Sequence, residues 1–260
     1  LAIQYADYAH WQHTYLKGEV LDEQQHYWQA QLADVPVVHG LPLDYPRAAV
    51  KGSEGGLVSE VLSQALTSSL KALAQQHGMT LFMLLHGALG LVLARHSNHH
   101  DIVLGTPVAN RTHAELAPLI GFFVNTLVLR VDTRHAHLSD YLAHVKEVNL
   151  AAQSNQDMPF EQLVEICDVP RNTAHNPLFQ IMFSMDTNEH SELALDGVSF
   201  TPIEAQVVST KFDIEINAVE ENAEITVNWV YDTDLFKAAR IHQLQAHLER
   251  LLSSMVEWGA

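Results

Sequence analysis

A single cysteine, Cys167, stands among 260 residues, so no disulfide can form within the chain. A framework of bridges is excluded, and the expectation is a fold held by its own core in a reducing compartment. Cations are scarce as well: 14 Lys and Arg face 31 Asp and Glu, a formal net charge of −17. Nucleic-acid affinity rests on cations that neutralise phosphate, so this chain is a poor candidate for it. Long hydrophobic runs are also missing. The longest, around Leu81–Ala94, is interrupted by His86 and is too short for a comfortable membrane span. No basic start leads into an apolar run, as a secretory signal would, and the expectation is a soluble, cytoplasmic protein. The 17 histidines include no helical H-x-x-x-H pair with an acid between them, so no metal site is expected.

What is present is ordinary globular material, 47% hydrophobic and long enough to need no staples. Aromatics crowd the first stretch (Tyr5, Tyr8, Trp11, Tyr15, Tyr27, Trp28), where Asp22 is placed to cap a helix. Residues 34–56, "DVPVVHGLPLDYPRAAVKGSEGG", are rich in proline and glycine. They suit either a domain linker or an extended arm lying on a surface. "LVSEVLS" then alternates like a strand. Ser63 opens a helix with Leu66, Leu70 and Leu73 on one face, and Gly78 ends it. Thr80 caps a helix apolar nearly all round, which predicts burial.

Short strands are expected at Ile102–Leu104 and Val124–Val131, with helices from Ser139 to Ala151 and from Pro159 to Ile166. "FQIMFSM", "VSFTPIE", "KFDIEINAV" and "EITVNWVY" read as strands. In the third, Phe212, Ile214 and Ile216 face one way and Asp213, Glu215 and Asn217 the other. Glu220-Glu221-Asn222 makes a hairpin turn, and a last helix runs from about Asp234 to Trp258 with Leu235, Ile241, Leu244, Leu248 and Leu251 inward. The fold class expected is an α/β sandwich (α+β), a largely antiparallel sheet flanked by helices.

Four stretches are stranger than their neighbours: "YADYAHW" (Tyr5–Trp11), "IGFFVNTLVLR" (Ile120–Arg130), "NQDMPFE" (Asn155–Glu161) and "RNTAHNPL" (Arg171–Leu178). Each alone has an ordinary structural use: Asp157 as a helix cap, Asn176-Pro177 as a turn, Asn125 as a satisfied core amide. In this order and spacing they resemble the later core motifs of the condensation domains of nonribosomal peptide synthetases. Those read Y-x-D-[FY]-A-x-W, [IV]-G-x-F-V-N-T-x-x-x-R, [HN]-Q-D-x-P-F-E and R-[DN]-x-S-x-N-P-L. The main departure is Ala174 where serine is usual. "LPLDYPR" (Leu41–Arg47) and "DIVLGTPVANR" (Asp101–Arg111) fit as well, and the resemblance spans essentially the whole chain.

The resemblance implies a lobe like that of chloramphenicol acetyltransferase, and amide formation between two carrier-bound thioesters. It also implies that the family's catalytic H-H-x-x-x-D-G precedes the motif at Tyr5, so that this chain is the C-terminal lobe with no catalytic residue of its own. His99-His100 imitates that signature, but Leu104 stands where its Asp belongs, inside an apolar strand. The ordinary reading is that Ser97–His100 form the turn after a buried helix and that Asp101 leads into a strand.

By the same resemblance, Gly105, Asn110 and Arg111 belong to a loop bridging to the N-terminal lobe, with Arg111 pairing the signature Asp there. Asn125, Thr126, Gln156, Asp157, Pro159, Arg171 and Asn176, with Tyr5, Asp7 and Trp11, are the motif residues near the reaction tunnel. The divisions implied are 1–56 (aromatic helical segment and arm), 57–178 (α/β core), about 179–210 (a latch crossing to the other lobe) and 211–260 (hairpin and final helix). Partners implied are the N-terminal lobe, upstream and downstream carrier domains bearing phosphopantetheine, and a following adenylation domain; no cofactor is held by this chain itself. Two other readings are an epimerisation relative, against which the retained Val124-Asn125 argues, and a non-catalytic platform recruiting carriers or tailoring enzymes.

Overall fold

The computed structural model describes residues 2–187, 198 and 208–259. Two helices, α1 (Tyr5–Tyr15) and α2 (Glu19–Gln31), precede the long Pro/Gly-rich segment. Next come β1 (Gly55–Leu62), α3 (Gln64–Gln76), α4 (Leu81–Ser97), β2 (Asp101–Val108) and β3 (Asn125–Asp132). Then follow α5 (Leu138–Ser154), α6 (Phe160–Ile166), β4 (Ile181–Thr187), β5 (Ile214–Glu221), β6 (Glu224–Asp232) and α7 (Ala238–Gly259). The described strands form one sheet in the order β1-β6-β5-β4-β2-β3. Three junctions are antiparallel and the two flanking β4 are parallel. The expected sandwich is therefore present, with a mixed sheet in which antiparallel pairing prevails narrowly.

Helix boundaries follow their capping chemistry. The Ser63 hydroxyl accepts from the Leu66 amide (3.3 Å), and Thr80 does the same for Met83 (3.2 Å). Asn98 ends α4 in the left-handed conformation (φ 55°), which asparagine tolerates better than most residues. Twelve residues of α4 are buried, because α3, α5, α7 and the sheet share one core with it. Close approach of α5 uses glycine: the Tyr141 hydroxyl donates to the Gly87 carbonyl (2.8 Å), and a Cβ on Gly90 would lie 2.6 Å from that hydroxyl. A second apolar cluster joins Trp28 of α2, Leu32 at its C-terminal cap and Leu163 of α6 to Leu127 and Leu129 of β3.

Residues 34–54 are an arm laid on the body, and charge fixes it there. Asp213 is fully buried; its carboxylate takes Arg47 at 2.6 and 3.2 Å and His39 Nε2 at 2.8 Å. His39 Nδ1 accepts from the Leu41 amide (3.2 Å), so the ring's proton lies on Nε2 and the neutral imidazole suffices. Burial disfavours the Asp213 charge, yet the bonds from His39 and Arg47 outweigh it and hold the carboxyl below its ordinary value. Asp44 is bound twice by Arg240, and Lys51 reaches Asp232 at 2.9 Å.

Several elements depart from the expectations of sequence. Alternation puts Asp213 on the polar outer face, but it precedes β5 and turns inward to meet the arm, a tertiary demand that a strand pattern cannot foresee. Gly18, rather than Asp22, caps α2, and Asp22 lies within its first turn. The hairpin turn is Asn222-Ala223, both with positive φ (51° and 64°), the type I′ geometry whose twist matches paired strands. In α7, Leu252 is fully buried in place of Leu251, which packs at the edge of the core. All but Val198 of the expected strand "VSFTPIE", and the middle of the expected latch apart from that residue, lie outside the described residues.

Removing one partner of a buried ion pair strands the others. D213A is expected to lower the unfolding free energy by about 3 kcal/mol or more and to make the arm the first site of proteolysis. Urea melts and limited digestion check both. A second expectation concerns His86, which is wholly buried with Nε2 unpartnered among the described residues. Burial, and then His144, push its pKa from 6.5 down to about 3. The unfolded chain therefore binds a proton that the fold refuses, and the stability present above pH 6.5 is lost as pH falls toward 3. H86Q should flatten the pH dependence of stability in this window by one proton, on the order of 1 kcal/mol per pH unit.

Candidate functional site

β2 ends and β3 begins side by side, with Val108 opposite Asn125, and the motif residues gather around this corner. Asn110 leaves β2 with φ 55° and buries its amide against the Tyr8 hydroxyl (3.2 Å). Tyr8, Leu116, Leu119 and Phe123 form a small core of their own, which seats α1. On that helix the Tyr5 hydroxyl donates to the Phe122 carbonyl (2.9 Å), and its ring meets Phe123 edge-on. Asp7 closes a capping box by accepting from the Gln4 amide (2.8 Å). Trp11 stacks on Tyr15, 4.8 Å between centroids, and takes His113 edge-on. Arg111 lies 4.1 Å above the Phe123 ring and donates to the Leu116 carbonyl, so it is already oriented within this chain.

Asn125 does the most at the corner. Its amide nitrogen donates to the carbonyls of Gln156 (2.9 Å) and Met158 (2.8 Å), and its oxygen accepts from the Phe160 amide (3.1 Å). One side chain thereby satisfies three backbone groups of the turn that leads through Pro159, the N-cap, into α6. Gln24 grips the same turn from α2, donating to Asp157 (2.9 Å) and accepting from the Met158 amide (2.8 Å). Gln156 contributes to this network through its carbonyl. Tyr5, Asn110, Asn125, Thr126, Asp157 and Pro159 consequently line one open depression of about 330 Å³. Phe122 (80% exposed) and Val124 (50%) belong to the same lining, and Ile120, close in sequence, is 93% exposed.

Other motif residues stand outside this lining. Gly105 lies within β2, where a Cβ would run into the Phe179 ring. Arg171 is exposed, and the loop it opens packs on the arm: Arg47 donates to the Ala174 carbonyl and the Thr173 hydroxyl to that of Ala49. Asn176 presents its carbonyl to the Gln180 amide (2.9 Å), while its side-chain oxygen is buried without a partner among the described residues. His99-His100-Asp101 belongs to the framework. His100 bonds the Thr133 hydroxyl (3.0 Å), Asp101 opens β2 and is held by two 2.8 Å bonds from Arg130, and Leu104 is fully buried.

A second cavity, of about 390 Å³, opens where β2 and β4 end. Its wall includes Phe82 of α4, Asn149 and Gln153 of α5, and Met185 and Asp186 of β4. Asn149 is buried, with its nitrogen donating to the Val145 carbonyl (2.8 Å) and to His86 Nδ1 (2.9 Å). His86 therefore carries its proton on Nε2. The motifs do not point to these residues; the available signal is a polar residue at a core position of each helix.

Chemically, the first depression is a wall. Its described lining holds no histidine, lysine or cysteine; Asn125 is committed to the backbone and Asp157 accepts from Gln24, and the lining's other carboxylate, Glu161, is exposed. Burial, with Tyr5 and Asp157 nearby, keeps the Tyr8 phenol above its usual pKa despite the bond from Asn110, so it stays neutral. Burial also raises the Cys167 thiol, which makes it a poor nucleophile at neutral pH. N125A would leave three backbone groups without their partner. It is expected to cost about 2–3 kcal/mol of stability and to speed amide exchange at Phe160, measurable by chemical denaturation and hydrogen exchange.

Known proteins resemble this chain over its length. A condensation domain family model matches residues 1–259. Malpinin synthetase of Mortierella alpina is 41% identical over 98% of this chain and 3% of its own length. Gramicidin S synthase 2 of Brevibacillus brevis is 39% identical over 98% of this chain and 6% of its own. The chain thus spans a few per cent of the length of these relatives. Among solved structures, the complex of the X-domain and OxyB from teicoplanin biosynthesis superposes with a TM-score of 0.89 at 25% identity, covering 99% of this chain and 58% of that one. The four-domain nonribosomal peptide synthetase holo-AB3403, bound to AMP and glycine, gives 0.81 at 29% identity, covering 92% and 19%. The epimerization domain of the third module of tyrocidine synthetase B shares the fold, at 0.74 and 18% identity, over 97% and 59%. The mixed sheet, the corner built by Asn125 and a family match running from residue 1 to 259 converge: the chain belongs to the condensation domain family.

Proposed function

We propose that the chain is the C-terminal lobe of a condensation domain in a nonribosomal peptide synthetase. The observation that carries this is the corner at Asn125: a depression lined by motif residues and by the exposed Phe122 and Val124, with Ile120 bare as well. Large apolar groups standing clear of their own core mark a surface that another body covers. Superposition supports the same reading, since nearly all of this chain matches 58–59% of two solved chains.

The reaction is amide formation. The acceptor's amine attacks the donor's thioester carbonyl; a C–N bond forms, the C–S bond breaks, and a carrier-borne thiol leaves as the amine sheds a proton. Both groups arrive as thioesters of phosphopantetheine on upstream and downstream carrier domains. A thioester is already activated, so holding two tethered reactants in line supplies much of the acceleration. The N-terminal lobe brings the histidine of H-H-x-x-x-D-G, to take the amine's proton or to stabilise the charged intermediate. This chain supplies the facing wall.

Arg111 is the link between lobes. Phe123 and the Leu116 carbonyl hold its guanidinium in place, and its remaining N–H groups suit the signature Asp. Asn125, Gln156, Asp157 and Asn176 shape the tunnel and its supporting bonds, with Tyr5, Asp7 and Trp11 seating the corner. Of the latch expected at about 179–210, Ile181–Thr187 are instead a strand inside this sheet, between β5 and β2, and most of the rest lies outside the described residues; an adenylation domain is the partner expected next in the parent. The superposition on the X-domain complex favours one other reading, a non-catalytic recruitment platform. Loss of H-H-x-x-x-D-G from the parent would decide for it.

Alone, the chain is expected to self-associate or to bind a separately produced N-terminal lobe, with F122D weakening that complex by about tenfold. Sedimentation and calorimetric titration check this; a monodisperse monomer indifferent to the added lobe would refute it.

A further inference from the structure

Two histidines 151 residues apart in the chain meet at the surface. His96 lies in the last turn of α4 and His247 within α7. Nε2 of the first and Nδ1 of the second are 2.8 Å apart, with ring centroids at 5.0 Å. One proton joins the two rings, and neither makes another hydrogen bond among the described residues. The surroundings favour a cation. His96 sits at the carbonyl end of a 17-residue helix, where the backbone gathers negative charge. Of the two arginines near it, Arg95 is exposed to solvent, and Arg240 is taken by both oxygens of Asp44. His247 is exposed and His96 partly so, which leaves the pair open to an arriving ion.

The geometry points to a divalent metal site of the zinc class, with His96 Nε2 and His247 Nδ1 as its two protein ligands and water in the remaining positions. Imidazole nitrogens suit such ions. Two nitrogens on a tetrahedral zinc, each bonded at about 2.0–2.1 Å, stand about 3.3 Å apart. Opening the pair by about half an ångström, and swinging each lone pair roughly 35° off the N–N line, makes room for the ion. Side chains with no other bond to break can turn that far. The metal replaces the shared proton and staples α4 to α7. No third histidine, cysteine or carboxylate joins the pair among the described residues, so the site is open and exchangeable, unlike a closed structural centre. Spacing along the sequence conceals it, because the ligands lie on different helices. None of the residues at the Asn125 corner takes part, so the site does not depend on the condensing reading.

The test is calorimetric titration of the untagged chain, stripped of metal with a chelator, with zinc chloride near neutral pH. H96Q, H247Q and H242Q are run beside it; the last removes an exposed histidine of α7 outside the pair. One equivalent should bind the wild type and H242Q alike, and each variant of the pair should weaken it by about tenfold or more. Zinc at about a hundred times its wild-type Kd should raise the urea midpoint of the wild type about twice as far as that of H247Q, or further. Zinc held equally by the wild type, H96Q and H247Q is adventitious binding at other histidines and overturns the inference. So does the lack of any saturable site with a Kd below about 1 mM.

Discussion

The amide of Asn125 is the bond set on which the corner depends. β3 and α6 have no covalent reason to meet at a fixed angle, and the turn between Gln156 and Phe160 has backbone groups that no ladder satisfies. One side chain with two donors and one acceptor in use closes all of them. An aspartate of the same shape could not donate, and a leucine would leave buried polar groups bare. The consequence spreads outward. Asp157 is presented to Gln24, α2 is drawn over the turn, and the Trp28 indole donates to the Asn155 carbonyl (2.9 Å).

A similar logic holds at the other end of the molecule, where buried Asp213 gathers Arg47 and His39 and fixes the arm. Both centres are polar groups serving the backbone or a distant strand. This division of labour suits the reaction proposed for it, between two activated, tethered partners. The energetic problem is alignment inside a shared tunnel more than the generation of a nucleophile. In the proposed reading, a rigid wall and an arginine held by an aromatic ring are what one half of such a tunnel supplies. The parallel junction of β2 with β4 places the ends of those two strands together.

Much of the framework is legible in the sequence. Ser63 and Thr80 announce helix starts because their hydroxyls have a local task, and α4's all-round apolarity announces its burial. Alternation misplaces Asp213 because it describes a strand in isolation, whereas the partners of this carboxylate lie some 170 residues away in sequence. The arm stays undecided for the same reason, since proline and glycine define what a segment cannot form and leave its contacts open. Asn125 and Asp157 are legible as unusual residues, and resemblance raises them to a site; their hydrogen bonds emerge only in three dimensions. Asn149 and Asp186 escape a reading of sequence because a cavity is a property of packing. His99-His100-Asp101 shows the converse, a suggestive string whose acid serves Arg130 and whose environment is a strand edge.

The central claim is that this chain shapes and anchors a reaction that its partner lobe performs. The most direct measurement is turnover by the isolated chain, given one carrier loaded with a donor and one with an aminoacyl acceptor. No amide should form beyond what the two carriers produce without protein. Sustained product from the chain by itself would contradict the claim and require a catalytic group within these residues.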